Sequence, residues 1–259
     1  MAEVIGFFSS KGGVGKTTMT ANIGAVLQHE FGFKVLLIDT HVLGADLSSH
    51  FGLLNPPVHI KDFLEGNLPP EKIIYKDPRT GVDIIPGPLH PKYRMKIPFN
   101  KLKNAIKTVE KRYDFILLDT PPWLGNETKG IVRAADQAVV IGTPSITGLL
   151  EAKRTISLIE RRKTKIKGVL INFYRGYDYE LKDTEIEQFM DKQEILGIVP
   201  EDEKIRRALG YGVPAVIASP KSRGVRAIID AAALMGNVEA EEEEPRSILA
   251  KLLNIFGLR

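Results

Sequence analysis

Short apolar runs alternate with helical stretches along most of this chain. Val4–Phe8, Val35–Ile38, Phe115–Leu118, Ala138–Ile141 and Gly168–Ile171 are nearly continuous in apolar residues, the pattern of strands buried on both faces. Ile195–Val199 reads as a further strand, and Val82–Ile85 as a run that pairs at a sheet edge. Between them the apolar spacing predicts helices at 17–30, 99–111, 147–162, 183–191 and 223–235. Strand and helix in turn imply an α/β fold, a mostly parallel sheet with helices on both faces. Ligands of such sheets bind at the carboxyl ends of the strands.

The rhythm breaks near Gly236-Asn237. The next stretch, 238–245 (VEAEEEEP), is too charged to bury itself and reads as an acidic linker. Residues 246–259 (RSILAKLLNIFGLR) turn apolar again. On a helical wheel Ile248, Leu249, Leu252, Leu253, Ile255 and Phe256 share one arc of roughly half the circumference. Ser247, Lys251 and Asn254 lie opposite. Such a helix could enter a lipid headgroup boundary or dock on the protein's own surface.

Composition narrows the chemistry. The 259 residues are 43% hydrophobic and 26% charged, which suits a globular protein with a sizeable core. There is no cysteine, so disulfides, thiolate metal sites and thiol nucleophiles are excluded. The start, MAEVIGFFSS, has no basic n-region or cleavage site, and no apolar run approaches the ~20 residues that span a bilayer. A cytoplasmic protein is the expectation. The net charge is +4, and because residues 239–259 are acidic the body carries +6. That leaves nucleic acid open as a partner, beside an ordinary solvated surface.

The most informative segment is SSKGGVGKTT, residues 9–18. It follows the first predicted strand and opens the first predicted helix. Glycines at this point let successive N–H groups face phosphate oxygens, and the helix N-terminus favours an anion. Lys16 is placed to reach the β- and γ-phosphates of a nucleotide, and the Thr17 hydroxyl to bind Mg2+. The strict Walker A pattern would have glycine where Ser10 stands, and here a second lysine, Lys11, precedes Gly12, Gly13, Val14, Gly15, Lys16, Thr17 and Thr18.

KGGVGKTT resembles the deviant Walker A motif of the MinD/ParA family of P-loop ATPases. KVLLIDTHVLGADLSSHFGL (34–53) resembles that family's first switch, and YDFILLDTPP (113–122) its Walker B strand and second switch. The resemblance runs over about residues 3–235. It is closest to MinD-like proteins of the archaeal type; the short helix and strand suggested by HIKDFLEGNL and VDIIPGPL, and the amphipathic tail, add to it. It implies a P-loop NTPase fold with about seven or eight strands. The implied domains are an ATPase domain over 1–237, the linker at 238–245 and a membrane-targeting helix at 246–259.

The resemblance also assigns roles. ATP and Mg2+ are the implied cofactors, with Thr17, Asp39 and Asp119 around the metal. Lys11, Lys16, His41 and Asp119 are the implied catalytic residues. Lys11 would reach across a face-to-face homodimer to the partner's nucleotide, so that ATP bridges the dimer and hydrolysis releases it. Asn172, in VLINFY, and Pro200, Glu201 and Asp202, in IVPEDEKIRRAL, correspond to segments lining the adenine. Pro200-Glu201-Asp202 also reads as a plain turn with a helix cap.

Two departures stand out. The family usually has a water-positioning aspartate two residues after the first switch aspartate, and here the position is His41. Either hydrolysis is slow or another group, such as Asp46, takes the role. The family often follows the asparagine with arginine, and here Phe173 follows. The expected function is a MinD-like, ATP-dependent dimerising switch, peripheral on the cytoplasmic face of the membrane. It would position a division or surface structure with an activating or cargo protein. A ParA-like DNA-partition ATPase and a weakly hydrolysing localisation scaffold are the alternatives.

Overall fold

The computed structural model describes residues 1–42, 44, 46–88, 97–122 and 128–240. The predicted linker beyond Ala240 and the tail residues Ile248, Leu249, Leu252, Leu253, Ile255 and Phe256 lie outside that set. The chain order of the first half is β1 (Glu3–Phe8), α1 (Lys16–His29), β2 (Val35–Asp39), α2 (Ile60–Glu65), β3 (Tyr75–Lys76), β4 (Asp83–Ile85), α3 (Leu102–Lys107), β5 (Phe115–Asp119) and α4 (Thr128–Ala134). The second half runs β6 (Gln137–Gly142), α5 (Ile146–Glu160), β7 (Lys165–Tyr174), α6 (Asp183–Met190), β8 (Ile195–Pro200), α7 (Glu203–Gly210), α8 (Ala215–Ala218) and α9 (Arg223–Gly236).

Among the described residues the strands form one eight-stranded sheet in the order β3-β4-β2-β5-β1-β6-β7-β8. All pairs are parallel except the β3–β4 edge. The apolar runs alternate their side chains between two faces. Ile5, Phe7, Leu37, Leu117, Val139 and Leu170 face a core shared with α1 and α9. Val4, Phe8, Leu36, Ile38, Ile116 and Leu118 face the opposite core, with α2, α4 and α5. Helices cover both faces, so the middle strands could not tolerate polar alternation. This is the mostly parallel α/β architecture the strand–helix rhythm predicts.

Some elements differ from expectation. The helix predicted at 99–111 is shorter: α3 is flanked by 3-10 turns at Phe99–Lys101 and Glu110–Arg112. The Thr108 hydroxyl donates to the Ala105 carbonyl at 2.7 Å, and the Thr108 and Val109 N–H groups bond three residues back. That local bonding tightens the turn and stops the α-helix. The strand predicted at Gly168–Ile171 extends to Lys165–Tyr174. The helix predicted at 223–235 ends at Gly236 with Asn237 in the left-handed region, φ 51°, where the sequence break lies. The short elements β3, α4 and α8 carry too few apolar positions for periodicity to reveal them.

Leu117 is fully buried on the central strand β5. Leu117→Ala should lower stability by about 2–5 kcal/mol in urea unfolding, because the sheet and α1 cannot close over the lost volume.

Candidate functional site

β1, β2 and β5 end together, and the glycine loop lies across their carboxyl ends. Gly13 and Gly15 have φ of 76° and 86°, left-handed values that a side chain resists. At Gly15 space also decides: a Cβ there would meet Asn172 Nδ2 at 2.2 Å. That nitrogen donates to the Val14 carbonyl at 2.8 Å, so β7 supports the loop from beneath. α1 begins at Lys16, directly after the loop. Ser10 has its own anchor in place of the usual glycine. Its N–H donates to Thr155 Oγ1 at 3.1 Å and its hydroxyl to Glu151 Oε2 at 2.8 Å, tying the loop to α5. Lys11 is exposed at the loop's outer rim.

Two carboxylates sit below the loop. Asp39 and Asp119 are register partners across β2 and β5, and both are 0% exposed. Thr17 Oγ1 donates to Asp119 Oδ2 at 2.8 Å, and Lys16 Nζ lies 3.7 Å from Asp119 Oδ1. Asp119 Oδ1 is buried without a hydrogen-bond partner. Asp39 accepts from the N–H groups of His41 at 2.9 Å and Leu47 at 3.3 Å. Burial pushes the Asp39 carboxyl well above the usual range, and the nearby Asp119 charge pushes it further. A hydroxyl and two carboxylates, one with an oxygen that has no hydrogen-bond partner, form a hard-oxygen set that suits Mg2+, and a cation would relieve the like-charge crowding.

Two threonines that follow these aspartates weld the strand ends. Thr40 Oγ1 donates to the Asp119 carbonyl and Thr120 Oγ1 to the Phe7 carbonyl, each at 2.6 Å. Sequence reasoning missed them. The available signal was the repeat of Asp-Thr after two apolar strands.

A cavity of about 440 Å³ lies over the loop, lined by Lys11–Thr18 together with His41, Asp46, Ser49, His50 and Phe173. His41 and Asp46, the alternatives for positioning water, therefore face the same space. His50 was not foreseen. It is 4% exposed, with Nε2 3.2 Å from Thr18 Oγ1 and Nδ1 3.1 Å from the Asp46 carbonyl. The 3-10 turn Leu47–Phe51 brings it back over Asp46. Arg79 holds this turn in place. Its guanidinium pairs with Asp77 at 2.7 Å and donates to the carbonyls of Phe51 at 2.9 Å and Gly212 at 3.0 Å.

A second cleft of about 160 Å³ opens beside the first. Asn172, Pro200, Glu201 and Asp202 line it together, with Phe173, Arg206 and Leu209. The two acids are not equivalent. Asp202 caps α7 by accepting from the Lys204 N–H at 2.8 Å and also takes the Gly224 N–H at 2.9 Å, so its carboxylate is committed to structure. Glu201 is held by Arg175 and by Arg206 at 2.7 Å. The Arg175 hydrogen bond is the main cause of its lowered pKa; burial opposes it, and the Arg175 charge and then the Arg206 hydrogen bond add smaller lowering effects.

Burial lowers the His50 pKa from its ordinary 6.5, so folding favours the neutral ring. The associated stability is complete above about pH 6.5 and is lost as pH falls through the lowered value. Thermal unfolding followed from about pH 7.5 down to 5 should show His50→Gln losing less stability than wild type. His59, also lowered by burial, is common to both proteins, so the difference belongs to His50.

Known proteins share the sequence family and the fold. The AAA domain family model matches residues 2–170. An uncharacterised ATP-binding protein of Methanocaldococcus jannaschii is 33% identical over 264 residues, covering 100% of this chain and 98% of that protein. The cell division ATPase MinD of Pyrococcus furiosus superposes with a TM-score of 0.86 at 30% identity, covering 92% of this chain and 99% of that one. The septum site-determining protein MinD of Pyrococcus horikoshii, complexed with Mg-ADP, superposes with a TM-score of 0.84 at 30% identity, covering 97% and 98%. On the family match over most of its length, the relatives at 30% identity or more and the shared fold, the chain belongs to the AAA-domain family of P-loop ATPases, in its MinD/ParA branch.

Proposed function

We propose that this protein is a MinD-like switch that binds ATP and Mg2+, dimerises around the nucleotide, and thereby associates reversibly with a membrane surface. The observation that carries this reading is the convergence of Lys16, Thr17, Asp39 and Asp119 beneath a glycine trough. The backbone of Gly12, Gly13, Val14 and Gly15 cradles phosphate oxygens, and Lys16 neutralises the β- and γ-phosphates. Thr17, Asp39 and Asp119 would hold Mg2+, which would supply positive charge against the charge that develops during phosphoryl transfer. Asn172, with Pro200 and Glu201, receives the adenine in the second cleft; Asp202 shapes that cleft through its cap.

Lys11 acts in trans. It stands at the exposed rim of the phosphate cavity, where a facing copy could receive it. A lysine supplied across an interface makes transition-state stabilisation depend on dimerisation, as an arginine finger does. His41 lines the cavity without a fixed negative charge, which favours a slow turnover and a long-lived ATP state. A weakly hydrolysing scaffold is the second reading, and His41 is the observation behind it.

The tail at 246–259 supplies membrane affinity. One helix of that length is marginal alone, and two in a dimer gain by effective concentration, by as much as ~10²–10⁴. The protein is accordingly peripheral on the cytoplasmic face, with a cargo or activating protein as its further partner.

Liposome sedimentation and ATPase rate, each with ATP or ADP, test this reading together. ATP should drive the full chain onto anionic vesicles, and removal of 246–259 should abolish the effect while ATP binding persists. Equal sedimentation with both nucleotides would sink the switch. Lys16→Ala should lose ATP binding. Lys11→Ala should still bind ATP yet stay monomeric, with turnover lowered by ~10³ or more. Single-turnover hydrolysis should be faster in His41→Asp than in wild type; equal rates would remove His41 as the limit.

A further inference from the structure

Four described residues other than glycine have positive φ: Lys163, Phe173, Asp191 and Asn237. Lys163 follows the end of α5, Asp191 caps α6, and Asn237 caps α9. Such positions commonly adopt the left-handed conformation as a helix ends. Phe173, at φ 64°, instead lies inside strand β7. A bulky aromatic residue there is a genuine outlier, and such strain gathers at functional sites.

The strain has a geometric result. Successive strand residues normally point to opposite faces. Here the β7–β8 register is irregular between Asn172 and Tyr174. As a result two consecutive side chains reach the same glycine loop. Asn172 Nδ2 bonds the Val14 carbonyl, and Phe173 Cζ would lie 3.3 Å from a Cβ on Gly15. The phenyl ring is half-buried and lines both the phosphate cavity and the second cleft, as do Thr18 and Leu209. These three residues mark the junction that a nucleoside triphosphate must cross with its phosphates in one cavity and its base in the other.

We propose that Phe173 is a stacking platform for the purine base, held at that junction by its left-handed backbone. The proposal rests on the nucleotide reading given above and deepens it. An aromatic face is attracted to any purine π-face, so Phe173 supplies affinity without reading base identity. Discrimination between bases then falls to the polar groups of the cleft, Asn172 and Glu201.

Binding measured by calorimetry tests this. Phe173→Ala should weaken ATP and GTP by the same factor, about tenfold, which is ordinary for one stacked base. Its affinity for inorganic triphosphate, which has no base, should be unchanged. Phe173→Leu keeps apolar bulk without a π-face and should resemble Phe173→Ala. Phe173→Trp should restore ATP affinity, with an indole emission change on ATP beyond that of Trp123 in wild type, and no such excess on triphosphate. Equal weakening of ATP and triphosphate, or full rescue by leucine, would overturn the stacking and leave Phe173 as loop support. Wild-type ATP affinity in Phe173→Ala would overturn it as well. Failure of wild type itself to bind ATP would overturn the nucleotide reading, and the stacking with it.

Discussion

The Asp119 carboxylate is the group on which the rest of the site depends. It is buried at the end of the central strand β5, beside the equally buried Asp39 on β2. A buried charge is costly unless neighbours satisfy it. Here Thr17 donates to one oxygen and Lys16 approaches the other. Both come from the first turn of α1, so satisfying Asp119 fixes how that helix meets the sheet. The glycine loop must then span the gap between β1 and α1, which explains the left-handed bends at Gly13 and Gly15. The Thr40 and Thr120 hydroxyls fasten the strand ends around the same point.

The switch segment is built onto this centre by short-range contacts. Asp39 receives the N–H groups of His41 and Leu47 and so holds both ends of the intervening stretch. His50 closes over Asp46 and reaches Thr18, which also borders the second cleft. Arg79 joins the end of the switch turn to Gly212 beyond α7. Phosphate cavity, switch and second cleft thus share a few polar links. Thr18 and His50 join the phosphate cavity to the second cleft, and Arg79 ties the switch turn to the segment after α7.

The second cleft illustrates how one motif divides its labour. Pro200, Glu201 and Asp202 are adjacent in sequence and line one cleft. Asp202 spends its carboxylate on two backbone N–H groups, which fixes the start of α7 and its contact with α9. Glu201 remains at the cleft, oriented by two arginines. Phe173 faces it from β7 in a conformation that ordinary strand geometry does not supply.

Much of this was legible in the sequence, because the signals are local. Continuous apolar runs give the buried parallel strands, and the glycine-lysine-threonine loop between a strand and a helix gives the phosphate site. Asp39 and Asp119 declare themselves as acids ending apolar strands, and the apolar-to-acidic break near Gly236-Asn237 marks the end of α9. What stayed hidden depends on partners distant in sequence. Nothing local to Ser10 shows that Glu151 and Thr155 receive it, or local to Arg79 that it bonds Phe51 and Gly212. His50 reads as one more polar residue until a 3-10 turn buries it against Thr18. Phe173 reads as an ordinary strand aromatic until its positive φ turns the ring toward the loop. The sequence by itself therefore determined the layer architecture and the phosphate chemistry, since both follow from periodicity and short spacing. Tertiary structure alone decided which side chains close the site, because burial, register and backbone sign are properties of elements brought together from across the chain.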